Sequence, residues 1–199
     1  MPSLTHAFDL GVGLSKGSGN WSVPRPEDGI GPTNMYGISV SHTFHNFVYV
    51  KVNICNDTDS RETIDGGYFD YVPGVIYENN HGGMKYDFTD VSQSISIGYI
   101  GKLGNLKPYI GFDYGFHDVS IDKIDWDIYR NITSQKHLTD NKGLSGYLFG
   151  IIYPINKYEI FVEYKHISIG TDEKLNLNSG QINEFNIGLN YHFDLFANK

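Results

Sequence analysis

The stretch Glu184 to Phe193, EFNIGLNYHF, alternates along its whole length. Phe185, Ile187, Leu189, Tyr191 and Phe193 fall on one parity, and Glu184, Asn186, Gly188, Asn190 and His192 on the other. A period of two makes an extended strand with two unlike faces. The apolar face is uniformly large and ends in aromatics. The other face is polar or glycine, residue types that fill no core. A soluble sheet needs the reverse arrangement. A membrane barrel fits, with bulky side chains against lipid and polar ones toward the lumen.

Seven further stretches repeat the pattern. The first covers Thr5 to Ser15, with Phe8, Leu10, Val12 and Leu14 against Asp9, Gly11 and Gly13. The second and third cover Asn34 to Thr43 and Phe47 to Cys55, a hairpin with Val48, Val50, Val52 and Ile54 against Tyr49, Lys51 and Asn53. The fourth and fifth cover Asp90 to Gly101 and Lys107 to His117. The sixth and seventh cover Gly143 to Tyr153 and Tyr158 to Ile169. At about 9–12 residues each, they have the length that crosses a bilayer at a steep tilt. Soluble strands average about 5–6.

The connections alternate as well. Short ones lie at Thr43 to Asn46, Lys102 to Leu106 and Pro154 to Lys157, and long ones at 16–33, 56–89, 118–142 and 170–181. The expectation is an all-β, eight-stranded antiparallel transmembrane barrel, residues 1–199 forming one domain. Its short turns are periplasmic and its long loops extracellular. The loops are rich in Pro, Asp, Asn and Gly, and Tyr68 to Tyr77 (YFDYVPGVIY) stands out as aromatic.

Composition agrees. Only 40% of the 199 residues are hydrophobic, yet there are 15 Tyr, 12 Phe and 23 Gly. Aromatic and glycine enrichment favours strand over helix. No apolar run approaches the roughly 18 residues of a spanning helix. The formal net charge of -8 leaves no basic footprint for nucleic acid. Cys55 is the sole cysteine, so no internal disulfide forms. The eight His show no metal-ligand spacing, and no cofactor is expected. Met1-Pro2-Ser3 leads directly into strand pattern without a basic or apolar leader. Because a barrel must be exported, the chain is taken as mature, its signal peptide removed, and its place as the bacterial outer membrane.

With the polar parity inward, the lumen holds Asp9, Lys51, Asp113, Glu159, Glu163, Lys165, Glu184 and His192. An eight-stranded barrel has room inside only for side chains. These residues therefore read as a plug of ion pairs. A narrow polar pore is the alternative, and Glu159 with Glu163 as an acid–base pair is a third.

The closing hairpin, VEYKHISIG and then EFNIGLNYHF, resembles that of small outer-membrane barrels of the opacity-protein type. Glu163, Tyr164, Lys165, Gly188, Tyr191 and Phe193 match, although six residues, DLFANK, follow Phe193. The resemblance implies adhesion or host and envelope interaction carried by the loops, without catalysis. The partners expected are outer-membrane lipid, lipopolysaccharide and an external ligand.

The same hairpin is also similar to the lipid A 3-O-deacylase barrels. His166-Ile167-Ser168 and Asn178-Ser179-Gly180 carry that likeness. It implies His166 as base and Ser168 as nucleophile, oriented by an acid. Ile169 stands where that family has Asn, and the acid position falls on Asn183 or on Glu184, the latter of opposite parity.

Overall fold

The computed structural model describes residues 9–22, 32–63, 83–127, 131–169 and 180–194. Their strands are β1 (Asp9–Ser22), β2 (Asn34–Phe44), β3 (Val48–Thr63), β4 (Gly83–Ile100), β5 (Lys107–Trp126), β6 (Ile132–Ile155), β7 (Tyr158–Ile169) and β8 (Gly180–Asp194). Each strand pairs with the next, and β1 pairs antiparallel with β8, so the sheet closes.

The stagger follows from the register. Partners run from Leu10 through His42, Val50, Ile97, Phe112, Tyr147, His166 and Asn183, and return to β1 at Asn20, ten residues on. Ten residues of roughly 3.3 Å rise, spread over eight spacings of roughly 4.8 Å, tilt the strands by about 40°.

The large apolar parity faces outward. Leu14 is 66% exposed, Ile38 59% and Phe112 57%, and the same holds around the whole barrel. So much continuous apolar surface belongs against lipid. Aromatic rings border the band. Near the short turns, Tyr191 packs on Tyr158 and Phe193 at 5.2 and 4.6 Å. At the far side, Phe149 packs on Tyr164 and Tyr114 on Phe116, at 5.0 and 5.6 Å. These rings suit the headgroup level.

The short turns are tight. His45 and Asn46 both have positive φ, 50° and 64°, and the Phe47 amide donates to the Phe44 carbonyl at 3.1 Å. Two left-handed residues in a two-residue loop match the twist of the flanking strands.

Four strands run further than the sequence suggests. β3 continues to Thr63, β4 begins at Gly83, β5 reaches Trp126 and β6 starts at Ile132. Much of 56–89 and 118–142, expected as loop, is therefore paired strand. β1 likewise continues to Ser22, and β8 begins at Gly180. Stretches such as NDTDSRET and GSGN are rich in turn formers and poor in apolar alternation. Pairing decides instead: Asn56 to Thr63 lie opposite Val91 to Met84, and Asp118 to Asp125 opposite Asn141 to Ser134. β3–β6 thus rise as a tall wall on one side of the barrel. The stretches 23–31, 64–82 (with the aromatic 68–77) and 170–179 lie outside the described residues, as do Thr5 to Phe8.

Candidate functional site

Ion pairs occupy the middle of the lumen. Lys51 Nζ donates to both oxygens of Glu163, at 2.8 and 3.0 Å, and the Tyr109 hydroxyl donates to Glu163 Oε2 at 2.8 Å. Lys165 Nζ lies 3.1 Å from Asp113 Oδ1, which also accepts from the Ser96 hydroxyl. His117 Nδ1 meets Asp90 Oδ2 at 2.8 Å. All of these side chains are buried. Their burial carries a desolvation cost, which this geometry offsets through charge-assisted bonds.

Apolar clusters line the lumen on both sides of these pairs. Toward the short turns lie Tyr49, Ile100, Tyr109, Leu148, Ile152 and Phe161. The Phe161 ring reaches the slot left by Gly188, where a Cβ would stand 2.3 Å from its Cζ. Its other face carries the Lys51 ammonium, 4.6 Å from the ring centroid. Toward the opposite end lie Phe88, Val119, Leu144, Ile167, Ile169 and Ile182.

That second layer follows from an inversion of pattern. On β8 the outward residues change from Phe185 to Asn183, while the inward ones change from Glu184 to Ile182. On β5, outward Phe116 gives way to Asp118 as inward His117 gives way to Val119. Above that level water surrounds the wall, and the barrel packs like a soluble protein.

The residues singled out from sequence fall as follows. Lys51 with Glu163, and Asp113 with Lys165, stand in direct contact. Glu159 sits at the mouth beside the short turns, holding Lys107 at 2.7 Å and His192 at 2.6 Å. Glu184 is 5% exposed, directly across from Lys165 in the β7–β8 register. For Asp9 only the backbone is described, opposite Asp194. Glu159 meets Lys107 and His192 on separate oxygens, and both oxygens of Glu163 accept from Lys51. Lys107, His117, Asp90 and Tyr109 complete the network, and sequence reasoning does not single them out. Continuing the inward parity from Asp113 to His117 is the signal that finds one of them.

His166 and Ser168 face outward near the upper aromatic border, and Glu184 faces the lumen. His166 Nδ1 lies 2.7 Å from Asn183 Oδ1, the same atom that accepts from the Tyr164 hydroxyl at 2.6 Å. The imidazole stacks on Tyr147, with centroids 4.9 Å apart and planes at 29°. The group that orients His166 is therefore an amide. Ser168 lies across from Ser145 and Gln181 in the register.

The tall wall carries charge on its outer face. Asp87 accepts from Ser60 at 2.5 Å and meets Lys85 at 3.1 Å. The Ser60 hydroxyl, with Lys85 beside it, holds the Asp87 carboxyl below its ordinary value. Asp122 meets His137 at 2.6 Å. Among the described residues no three His, Cys, Asp or Glu side chains gather to hold a metal ion.

The closed, eight-stranded geometry recurs in solved structures. Neisserial surface protein A superimposes with a TM-score of 0.63 at 16% identity, over 92% of this chain and 97% of that one. The fold is that of a small outer-membrane β-barrel. Ail, the attachment invasion locus protein of Yersinia pestis, matches with a TM-score of 0.58 at 10% identity, over 94% of this chain and 99% of its own. A major outer membrane protein from Thermus thermophilus gives 0.52 at 14%, over 92% and 99%. No family model and no curated protein matches the sequence of this outer-membrane barrel. The likeness is one of fold, carried by strand number, closure and the lipid-facing parity.

Proposed function

We propose that this chain is a non-enzymatic, non-conducting protein of the bacterial outer membrane that meets a partner outside the cell through its tall β3–β6 wall and the segments joining it. The observation that carries this reading is the lumen. Ion pairs lie inside the barrel between two apolar clusters, and four strands are prolonged well beyond the membrane. Strand pairing orders that wall, and ordered, exposed sheet suits recognition better than transport.

The wall's chemistry narrows the partner. Asp59, Asp87, Asp118, Asp122, Asp125 and Asp140 outnumber Lys85, Lys123, Lys136 and Lys142 among the described side chains of its strands. A solved structure of Ail holds the heparin analogue sucrose octasulfate. Such a polyanion would be repelled here, so a basic or neutral protein surface is the better fit.

Two measurements test the reading. In planar bilayers the folded protein should stay silent, and a stable unitary conductance would overturn the sealed lumen. Bacteria displaying the chain should bind immobilised extracellular-matrix proteins more strongly at low than at high salt, and trimming 119–139 to a short turn should abolish the gain. Binding that survives the trim sinks the wall as the recognition element. Catalysis has its own check: incubation with lipid A should release no 3-hydroxy fatty acid. Release that Ser168→Ala abolishes would make this an esterase.

A further inference from the structure

Across β1, β8, β7 and β6 the register sets four outward residues in one row: Asn20, Asn183, His166 and Tyr147. The next outward row upward carries Gln181, Ser168 and Ser145. On their own strands both follow the last large apolar residues Phe185, Tyr164 and Phe149, and because the strands tilt near 40° the first row climbs from Tyr147 to Asn20 across the upper border of the apolar band. The opposite wall bears Asp118, Asp87, Lys85 and Asp122 above its own outward apolar residues Phe116 and Val91. These rows carry only amides, hydroxyls, an imidazole and an aromatic ring. The nearby Lys16 ammonium is held 5.5 Å from the Tyr36 ring centroid.

Two of the neutral groups are fixed in advance. Asn183 Oδ1 accepts from the Tyr164 hydroxyl and from His166 Nδ1–H, which orients both the amide and the imidazole. This leaves the imidazole its Nε2 edge and Asn183 its amide NH₂ as donor. Stacking on Tyr147 holds the imidazole plane. An amide NH₂ and an imidazole nitrogen side by side, next to an aromatic face, match sugar hydroxyls, which both give and accept hydrogen bonds. A phosphate offers acceptors alone and calls for cations.

We infer that the Asn20–Asn183–His166–Tyr147 row binds the saccharide headgroup of an outer-leaflet glycolipid on the flank of the barrel away from the tall wall. The inference rests on the membrane placement proposed above and names the lipid that placement brings into contact.

The test uses the folded full chain in nanodiscs of two compositions, phosphatidylglycerol alone and phosphatidylglycerol with purified rough lipopolysaccharide. Folding is first verified by heat-modifiable migration. The unfolding temperature of the wild type should rise by several degrees when the glycolipid is present. Asn183→Leu should lose the rise, and Asn20→Leu, which leaves the His166–Asn183–Tyr164 cluster intact, should reduce it. Ser60→Ala on the tall wall should keep it in full. An equal rise in all four proteins, or none in the wild type, overturns the inference while leaving the barrel's membrane placement untouched. Failure of the wild type to enter either nanodisc defeats that placement instead.

Discussion

Glu163 is the most constrained ionisable residue of the lumen. Its carboxylate is 0% exposed and takes bonds from Lys51 and Tyr109. Glu163→Gln leaves the Lys51 ammonium buried without its counter-charge, which costs about 3–5 kcal/mol. The expected outcome is a marked drop in the denaturant midpoint of the detergent-folded protein. Replacing both partners, Lys51→Met with Glu163→Leu, should recover most of that loss or exceed wild-type stability, because buried pairs stabilise little over well-packed apolar residues. An unchanged midpoint for the single variant would show that water reaches the pair. At this scale the sequence is informative about which charges point inward. It is silent about which of them meet. Parity selects Lys51, Asp113, Glu163 and Lys165, but their pairing crosses the barrel between strands far apart in the chain, and only closure brings them together. Asn183 shows the converse. Its position is legible, yet its part in fixing His166 depends on Tyr164 reaching the same oxygen.

Among elements, β7 is legible at both ends, from Tyr158 to Ile169, since its alternation is unbroken and a tight turn precedes it. The upper halves of β3–β6 are hidden for a physical reason. On β4, β5 and β6, where the wall leaves the lipid, the outward residues turn polar and inward Phe88, Val119 and Leu144 are apolar, so the hydropathy phase reverses. On β3 both faces turn polar from Asn56 on. Either change looks like the end of a pattern. The apolar layer of Phe88, Val119, Ile167 and Ile182 is hidden with it. Between β7 and β8 the fit depends on a void of side chain. Gly188→Ala sets a methyl 2.3 Å from the Phe161 ring and should destabilise the folded barrel by about 1–3 kcal/mol. Phe161→Leu in the same chain should recover part of that loss in urea titration. Additive losses in the double variant would mean that the ring does not occupy the glycine slot.

For the whole molecule, closure and the ten-residue stagger fix a barrel whose outward apolar band on β8 runs from Phe185 to Phe193. Eight steps of roughly 3.4 Å at a tilt near 40° span about 20 Å of membrane thickness. Outer membranes are thinner than average, and mismatch costs a fraction of a kcal/mol per Å. Folding into vesicles should therefore be most complete with short-chain lipids. Asn34→Leu with Asn56→Leu, which raises the upper edge of the band by one outward position on β2 and β3, should move that optimum toward longer chains. An optimum that does not move would place the upper edge elsewhere.

The level where both faces exchange character acts as a waterline. Lifting the barrel would bare Phe185 and Phe116 to water, and sinking it would draw Asn183 and Asp118 into hydrocarbon. Its draught is set by residue order alone, so in a bilayer of another thickness the lipid around it is what deforms.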